Sequence, residues 1–223
     1  MRPSSLRRTG LGAGLIGAAV IGTAVVARAP AAVADPCPDA EVIFARSTGG
    51  VGLGEVGQAF LDGVRARAGG RSVAVYSVNY PASFDFANSV PLGVADASNR
   101  VQTMAASCPA TKLVLSGLSQ GAGVIDLITM DPHPLGEFTP RPMPPSVADH
   151  VAAVAVFGNP AGTMSGGGSL SAMSTTYGAR TIDLCAPDDL YCFPGGQSFL
   201  AHLSYVGNGM VDQAADFVAA RLS

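Results

Sequence analysis

Ser119, His202 and one of a few late aspartates could together carry out nucleophilic catalysis. Ser119 stands in Gly117-Leu118-Ser119-Gln120-Gly121, between the apolar run Lys112–Leu118 and a stretch carrying Val124, Leu127 and Ile128 on one helical face. A sharp strand-to-helix turn of this kind lifts a serine hydroxyl clear of a sheet, and the flanking glycines keep neighbouring backbone from clashing. A hydroxyl is a weak nucleophile without a base beside it. In parallel sheets that carry such a turn, an acid and then a histidine follow the serine along the chain. Of the three histidines, His133 sits between two prolines and His150 directly precedes a strand, so both come too early. His202 fits the order. The acid must come from the end of a strand or the loop after it, where Asp183, Asp188 and Asp189 compete. Asp183 falls within a strand pattern and reads as structural. Asp188 and Asp189 lie in the short stretch between Cys185 and Cys192, which would hold a carboxylate firmly against an imidazole and fix its tautomer. Residue type and position leave these two open, since a solvated Asp-Asp turn looks the same.

The elements that must position these groups follow from hydrophobic periodicity. Apolar strand patterns cover residues 41–45, 72–78, Lys112–Leu118, Val151–Phe157 and Thr181–Leu184. Between them, Val56, Phe60 and Val64 mark a helix that stops at Gly69-Gly70. A longer helix carries Val94, Ala97, Val101, Met104 and Cys108, and a closing one carries Met210, Ala214, Phe217, Val218 and Leu222. The continuously apolar 151–157 stretch is that of a parallel strand covered on both faces. Strands alternating with helices predict an α/β fold, a three-layer sandwich around a central five-stranded parallel sheet with right-handed crossovers. Two segments lack periodicity: residues 131–146, with six prolines, and residues 159–178, rich in Gly, Ser, Thr and Met. Both are read as following elements near the end of the sheet that carries Ser119 and so could border a site, with ordinary surface loop the favoured reading for most of their residues. The prolines disfavour helix and restrict hinge motion, so the first reads as a semi-rigid rim and the fold as lidless.

Residues 1–34 read as an export leader. Arg2, Arg7 and Arg8 form a basic start, residues 11–27 an apolar core, and Ala32-Val33-Ala34 a small-residue cleavage site. The mature chain is then 35–223, a single domain of 189 residues with 9 basic against 16 acidic side chains, a formal charge of −7. An acidic, lysine-poor surface argues against nucleic acid as partner and against electrostatic docking on anionic lipid. The expectation is a secreted monomer without stable membrane insertion. Four cysteines in an exported chain should form two bridges. Cys185 with Cys192 is the local pairing, which leaves Cys37 with Cys108. That second loop of about 70 residues would contribute roughly 4 kcal/mol in the chain-entropy account. A metal site for these cysteines finds no support in Cys-x-x-Cys or histidine spacing.

Taken together, Cys185-x-x-x-Asp189-x-x-Cys192, the ten residues leading to His202-Leu203-Ser204-Tyr205, the Gly117–Gly121 pentamer and the opening Phe44-Ala45-Arg46-Ser47-Thr48 resemble the cutinase family. The likeness is to secreted cutinase-like esterases of actinobacteria and covers nearly the whole mature chain. It implies Ser119 as nucleophile, His202 as base and Asp189, rather than Asp188, as orienting acid. It implies the same two disulfides and needs no metal or organic cofactor. Acyl transfer also needs donors for a developing oxyanion. The Gln120 backbone supplies one by position, and Thr48 matches the hydroxyl-bearing oxyanion residue of the family. The chain departs from the family pattern at three places, with Ser47 for a usual glycine, Leu118 for a common tyrosine and Asp188 for a small residue. Leu118, Leu190, Phe193, Phe199 and Leu200 flank the three groups and are expected to line an apolar acyl groove. The implied activity is hydrolysis of short- to medium-chain carboxylic esters, with a phospholipase or cell-envelope glycolipid esterase as variants. A catalytically silent, surface-binding or antigenic member is the competing reading, against which Ser119 and His202 argue.

Overall fold

The computed structural model describes residues 37–164 and 166–222; the leader expected over 1–34 lies outside them. Five strands, β1 (Ala40–Ala45), β2 (Val73–Ser77), β3 (Lys112–Leu118), β4 (Val151–Phe157) and β5 (Thr181–Leu184), form one sheet in the order β2-β1-β3-β4-β5. Every pairing is parallel. Six helices accompany them: α1 (Gly54–Arg67), α2 (Phe86–Ser107), α3 (Gln120–Thr129), α4 (Leu170–Met173), α5 (Phe199–His202) and α6 (Met210–Leu222). None is long and apolar enough to cross a membrane.

The alternation of side chains along each strand divides the core in two. On one face Ile43, Leu113, Leu115, Val154 and Val156 pack with Val94, Val101, Val124 and Ile128 of α2 and α3. On the other, Val42, Phe44, Val114 and Phe157 meet Phe60 and Val64 of α1 and Val211, Ala214 and Val218 of α6. This is the expected three-layer sandwich. Because β1 is followed by a helix on one face and β3 by a helix on the other, a crevice opens between their C-terminal ends, where sheets of this kind place their ligands. Ser119 follows β3 at that point.

Two devices hold the far end and the flank. A disulfide joins Cys37, ahead of β1, to Cys108 at the end of α2, their Cα atoms 5.5 Å apart. The Arg100 guanidinium makes a two-pronged contact with Glu41, its Nε 2.7 Å from Oε1 and its second prong from Nη2 to Oε2. Glu41 is buried in β1, and Arg100 also lies over the Tyr76 ring, 4.8 Å from its centroid. Removing one partner of a buried pair strands the other charge, which costs about 3–5 kcal/mol. Arg100→Met should therefore lower stability by about 3 kcal/mol, the lower figure because the guanidinium keeps some solvent contact. Urea denaturation would measure the loss, and specific activity per folded molecule should not change.

The two aperiodic segments differ in what they do. Residues 131–146 were expected near Ser119, but α3 runs antiparallel to β3 and delivers them at its opposite end. The segment turns back along the flank of α3, with the Arg141 and Met143 amides donating to the Leu127 and Ile128 carbonyls at 2.7 and 2.9 Å. It closes the gap between α2 and α3, leaving a small cavity of about 220 Å³ against Val90, Val94 and Phe138. Residues 159–178 do reach the site. Thr163 Oγ1 donates to the Tyr191 carbonyl at 2.7 Å, bracing the loop between Cys185 and Cys192.

Candidate active site

The turn at Ser119 is built by close backbone packing. Ser119 has φ 57° and ψ −120°, a conformation that costs a side-chain-bearing residue on the order of 1–3 kcal/mol. Its amide donates to the Phe157 carbonyl of β4 at 2.9 Å, which holds the turn against the sheet. The glycines on either side are sterically required. A Cβ on Gly117 would lie 2.4 Å from the Gly121 carbonyl oxygen, and one on Gly121 would lie 2.0 Å from that of Ala45. The pentamer thus reflects how closely the start of α3 approaches both β3 and β1.

His202 ends the short helix α5, which the Ser198 hydroxyl caps by accepting from the Ala201 amide at 3.0 Å. The ring is buried and lies directly on Gly158, the residue after β4. A Cβ at Gly158, where φ is +53°, would sit 2.7 Å from His202 Cε1. Since Ser119 bonds to Phe157, one residue earlier, the imidazole and the serine border the same peptide. Tyr191 closes the ring from another side, with centroids 4.6 Å apart.

Asp189 is wholly buried and faces His202, with Nδ1 at 2.9 Å from Oδ1 and 2.8 Å from Oδ2. The Tyr191 amide donates to Oδ1 at 2.8 Å and the Tyr205 hydroxyl to Oδ2 at 2.5 Å. Tyr205 in turn accepts from the Ala186 amide at 3.1 Å. Burial, and then the hydrogen bond to Asp189, push the Tyr205 phenol above its ordinary range, so it stays a donor. With Nδ1–H held by Asp189, the neutral ring keeps its Nε2 lone pair for another partner. Asp188, its neighbour, adopts φ +65° and is exposed. Its Oδ1 accepts from the Gln197 amide at 2.9 Å and so shapes the loop. The disulfide Cys185–Cys192 spans this loop, Cα to Cα 5.8 Å.

Gln120 opens α3, and its N–H is among those a helix leaves without an internal partner. Its side chain is buried and fully engaged. Nε2 donates to Thr48 Oγ1 at 3.0 Å and to the Ser83 carbonyl at 2.8 Å, while Oε1 accepts from Ser89 Oγ at 2.7 Å. Thr48 accepts this bond, so its own hydroxyl hydrogen is free to point elsewhere. The loop bearing Thr48 is fastened from below. Arg46 donates from Nε to the Gly50 carbonyl at 2.9 Å and from Nη1 to that of Val78 at 3.2 Å. Tyr80 Oη donates to the Arg46 carbonyl, and the Gly49 amide donates to Ala82 at 2.7 Å. Ser47, which departs from the glycine usual in the family the chain resembles, fits a turn in which its carbonyl accepts from the Gly50 amide at 3.0 Å.

Of the apolar residues expected at the groove, Leu190, Phe193, Phe199 and Leu200 are exposed around Asp189 and His202. Leu118 is half-buried and packs on the core between the sheet and α1. Tyr191, Leu203, Val51, Phe84 and Phe86 extend the exposed apolar surface and had not been singled out. The anchors of Gln120, Ser83 and Ser89, also escaped notice, as did the role of Tyr205 beneath Asp189. Asp183 does not approach His202; it bonds to Asn159 and to the Leu170 amide.

Comparison with known proteins bears on the family and the fold. A family model described as Cutinase matches residues 36–222. The carboxylesterase Culp1 of Mycobacterium tuberculosis is 52% identical over 197 residues, spanning 86% of this chain and 85% of its own. The phospholipase Culp4 of the same species is 50% identical over 195 residues, with 87% and 83% covered. Among solved structures, Trichoderma reesei cutinase bound to a phosphonate inhibitor superposes with a TM-score of 0.64 at 31% identity, over 85% of this chain and 78% of that one. An acetylxylan esterase shares the fold, with a TM-score of 0.71 at 24% identity over 84% of this chain and 100% of its own.

Proposed function

The chain belongs to the cutinase family and is a carboxylic ester hydrolase, and on that premise we propose that it is a secreted serine esterase working through Ser119, His202 and Asp189. The observation that carries this reading is the buried Asp189–His202 pair seated on Gly158, beside the strained turn of Ser119.

In this mechanism the Ser119 hydroxyl attacks the ester carbonyl as His202 Nε2 takes its proton. Asp189 stabilises the imidazolium and keeps Nδ1 as the donor. The tetrahedral oxyanion receives the Gln120 and Thr48 amides and the Thr48 hydroxyl. Its collapse breaks the ester C–O bond, and His202 returns the proton to the leaving alcohol. Water, deprotonated by the same imidazole, then hydrolyses the acyl-enzyme and regenerates Ser119. No cofactor enters these steps. Leu190, Phe193, Phe199 and Leu200 give the acyl chain a shallow apolar lining. Long chains would protrude from it and gain little, so short to medium chains are preferred. Secretion rests on the leader pattern and the two disulfides.

Covalent capture tests this directly. A serine-directed phosphonate should add one equivalent of mass, and peptide mapping should place it on Ser119. Labelling elsewhere, or none in active protein, would overturn the assignment. Thr48→Val should lower kcat by about 10²-fold with little change in KM, as loss of one oxyanion donor does. A second reading, a phospholipase, is favoured by the likeness to Culp4. Comparing p-nitrophenyl butyrate with phosphatidylcholine vesicles separates the two.

A further inference from the structure

Behind the site lies a buried polar group of residues that the mechanism above does not use. Asp126 is completely buried in α3, two helical turns beyond Ser119. Its Oδ1 accepts from Asn159 Nδ2 at 3.1 Å, and its Oδ2 is buried without a hydrogen-bond partner among the described residues. The same Asn159 nitrogen donates to Asp183 Oδ2, on β5, at 3.0 Å. That oxygen also accepts from the Leu170 amide at 2.8 Å. Asn159 Oδ1 accepts from the Ala161 amide at 3.0 Å, which fixes which end of the amide is the donor.

We propose that Asn159 is a positioning residue of the catalytic apparatus: its amide bridges Asp126 and Asp183 and thereby locks Gly158, the seat of His202, to the helix that follows the nucleophile and the strand that leads to the acid. The inference rests on the roles given above to Ser119, His202 and Asp189. Its physical basis is that three chain segments meet through one side chain. Asn159 directly follows Gly158, Asp126 belongs to the helix that begins next to Ser119, and β5 runs into the Cys185–Cys192 loop. A movement of Gly158 by a fraction of an ångström would carry the imidazole with it, because its Cα has no side chain to cushion the contact. Buried polar groups are costly unless each is partnered, so the bridge has one low-energy arrangement where an apolar contact would have several. Burial, and then the charge of Asp183, push the Asp126 carboxyl well above the ordinary carboxylate range, and burial raises that of Asp183 as well, although the Leu170 amide and Asn159 oppose it.

The test uses Asn159→Asp and Asn159→Leu in the mature protein, with p-nitrophenyl butyrate as substrate. Asn159→Asp keeps size and the bond from Ala161 but loses both amide hydrogens, and protonation returns one donor. Facing it are Asp126 from α3 and Asp183 from β5, while His202 and the Tyr205 phenol lie against Gly158. At pH 8 its kcat should fall about 30-fold below wild type with KM within twofold. At pH 5 the deficit, taken against wild type at the same pH, should shrink to less than about fivefold. The sign follows from the donor being present only in the protonated acid. Asn159→Leu, which cannot regain a donor, should show the same loss at both pH values. A deficit in Asn159→Asp that is equal at both pH values, or activity within twofold of wild type at both, would overturn the inference. So would a failure of that variant to fold by circular dichroism, which would make Asn159 a folding residue. Phosphonate labelling separates the two levels of argument. If wild type is not labelled at Ser119, the proposed mechanism fails; if it is, and Asn159→Asp at pH 8 reacts at the wild-type rate, only the bridge does.

Discussion

Replacing Ser119 by alanine should abolish ester hydrolysis, lowering kcat by about four to six orders of magnitude. Without the hydroxyl no acyl-enzyme forms, and the base and oxyanion donors can only assist a water. The fold should be unaffected. The side chain is only half-buried, the turn is set by Gly117 and Gly121, and alanine inherits the same backbone conformation. Far-UV circular dichroism and thermal melting should therefore match wild type while p-nitrophenyl butyrate turnover falls to background. Turnover retained in protein purified away from host esterases would remove Ser119 from the mechanism.

The second large effect is expected from the acid, and it discriminates between neighbours. Asp189→Asn should cost about 10⁴-fold in kcat, because an amide facing Nδ1 favours the wrong tautomer and cannot balance an imidazolium. Asp188→Asn should leave kcat within about twofold. Asp188 is exposed, its left-handed backbone suits asparagine, and an amide oxygen can still accept from Gln197. Steady-state kinetics on the two purified variants decides the matter. Comparable losses, or the reverse order, would mean that the orienting carboxylate has been misassigned.

The contrast between these two aspartates shows where residue patterns stop being informative. The sheet was legible because its strands are apolar runs separated by helix-period stretches, and β4 shows this most clearly. The turn at Ser119 was legible because two glycines are compulsory where backbone meets backbone. Asp188 and Asp189 are chemically identical neighbours that residue type could not separate. Only the cysteine spacing shared with the cutinase family singled out Asp189, and the structure distinguishes them by the burial of Asp189 against His202 and the bond of Asp188 to Gln197. The course of residues 131–146 was misjudged for a topological reason. A helix returning antiparallel to its strand delivers the next loop to the opposite end of the sheet. Asp126 did leave a trace, as a lone carboxylate in the apolar run Val124-Ile125-Asp126-Leu127-Ile128. A charge there signals a buried partner, but Asn159 and Asp183 lie too far along the chain for periodicity to nominate them. Ser83 and Ser89, which clamp Gln120, were hidden for the same reason.

The distribution of exposed apolar side chains has a practical consequence. Val51, Phe84 and Phe86 on one side, and Tyr191, Phe193, Phe199, Leu200 and Leu203 on the other, all lie in segments that follow the C-terminal ends of strands. Val51, Phe84 and Leu200 are 88%, 81% and 78% exposed. The sequence from residue 35 onward is otherwise lysine-poor and carries an excess of acidic groups. Leu92 and Val75 are exposed as well, but most of the large exposed apolar side chains belong to the segments after strand ends, so the molecule should behave as a mild surfactant. At nanomolar concentration it will collect at whatever boundary separates water from something less polar, whether a droplet of substrate, an air bubble or the polystyrene wall of a microplate. Apparent specific activity should then decline on dilution and recover with carrier protein or traces of non-ionic detergent, with no change in the chemistry at Ser119.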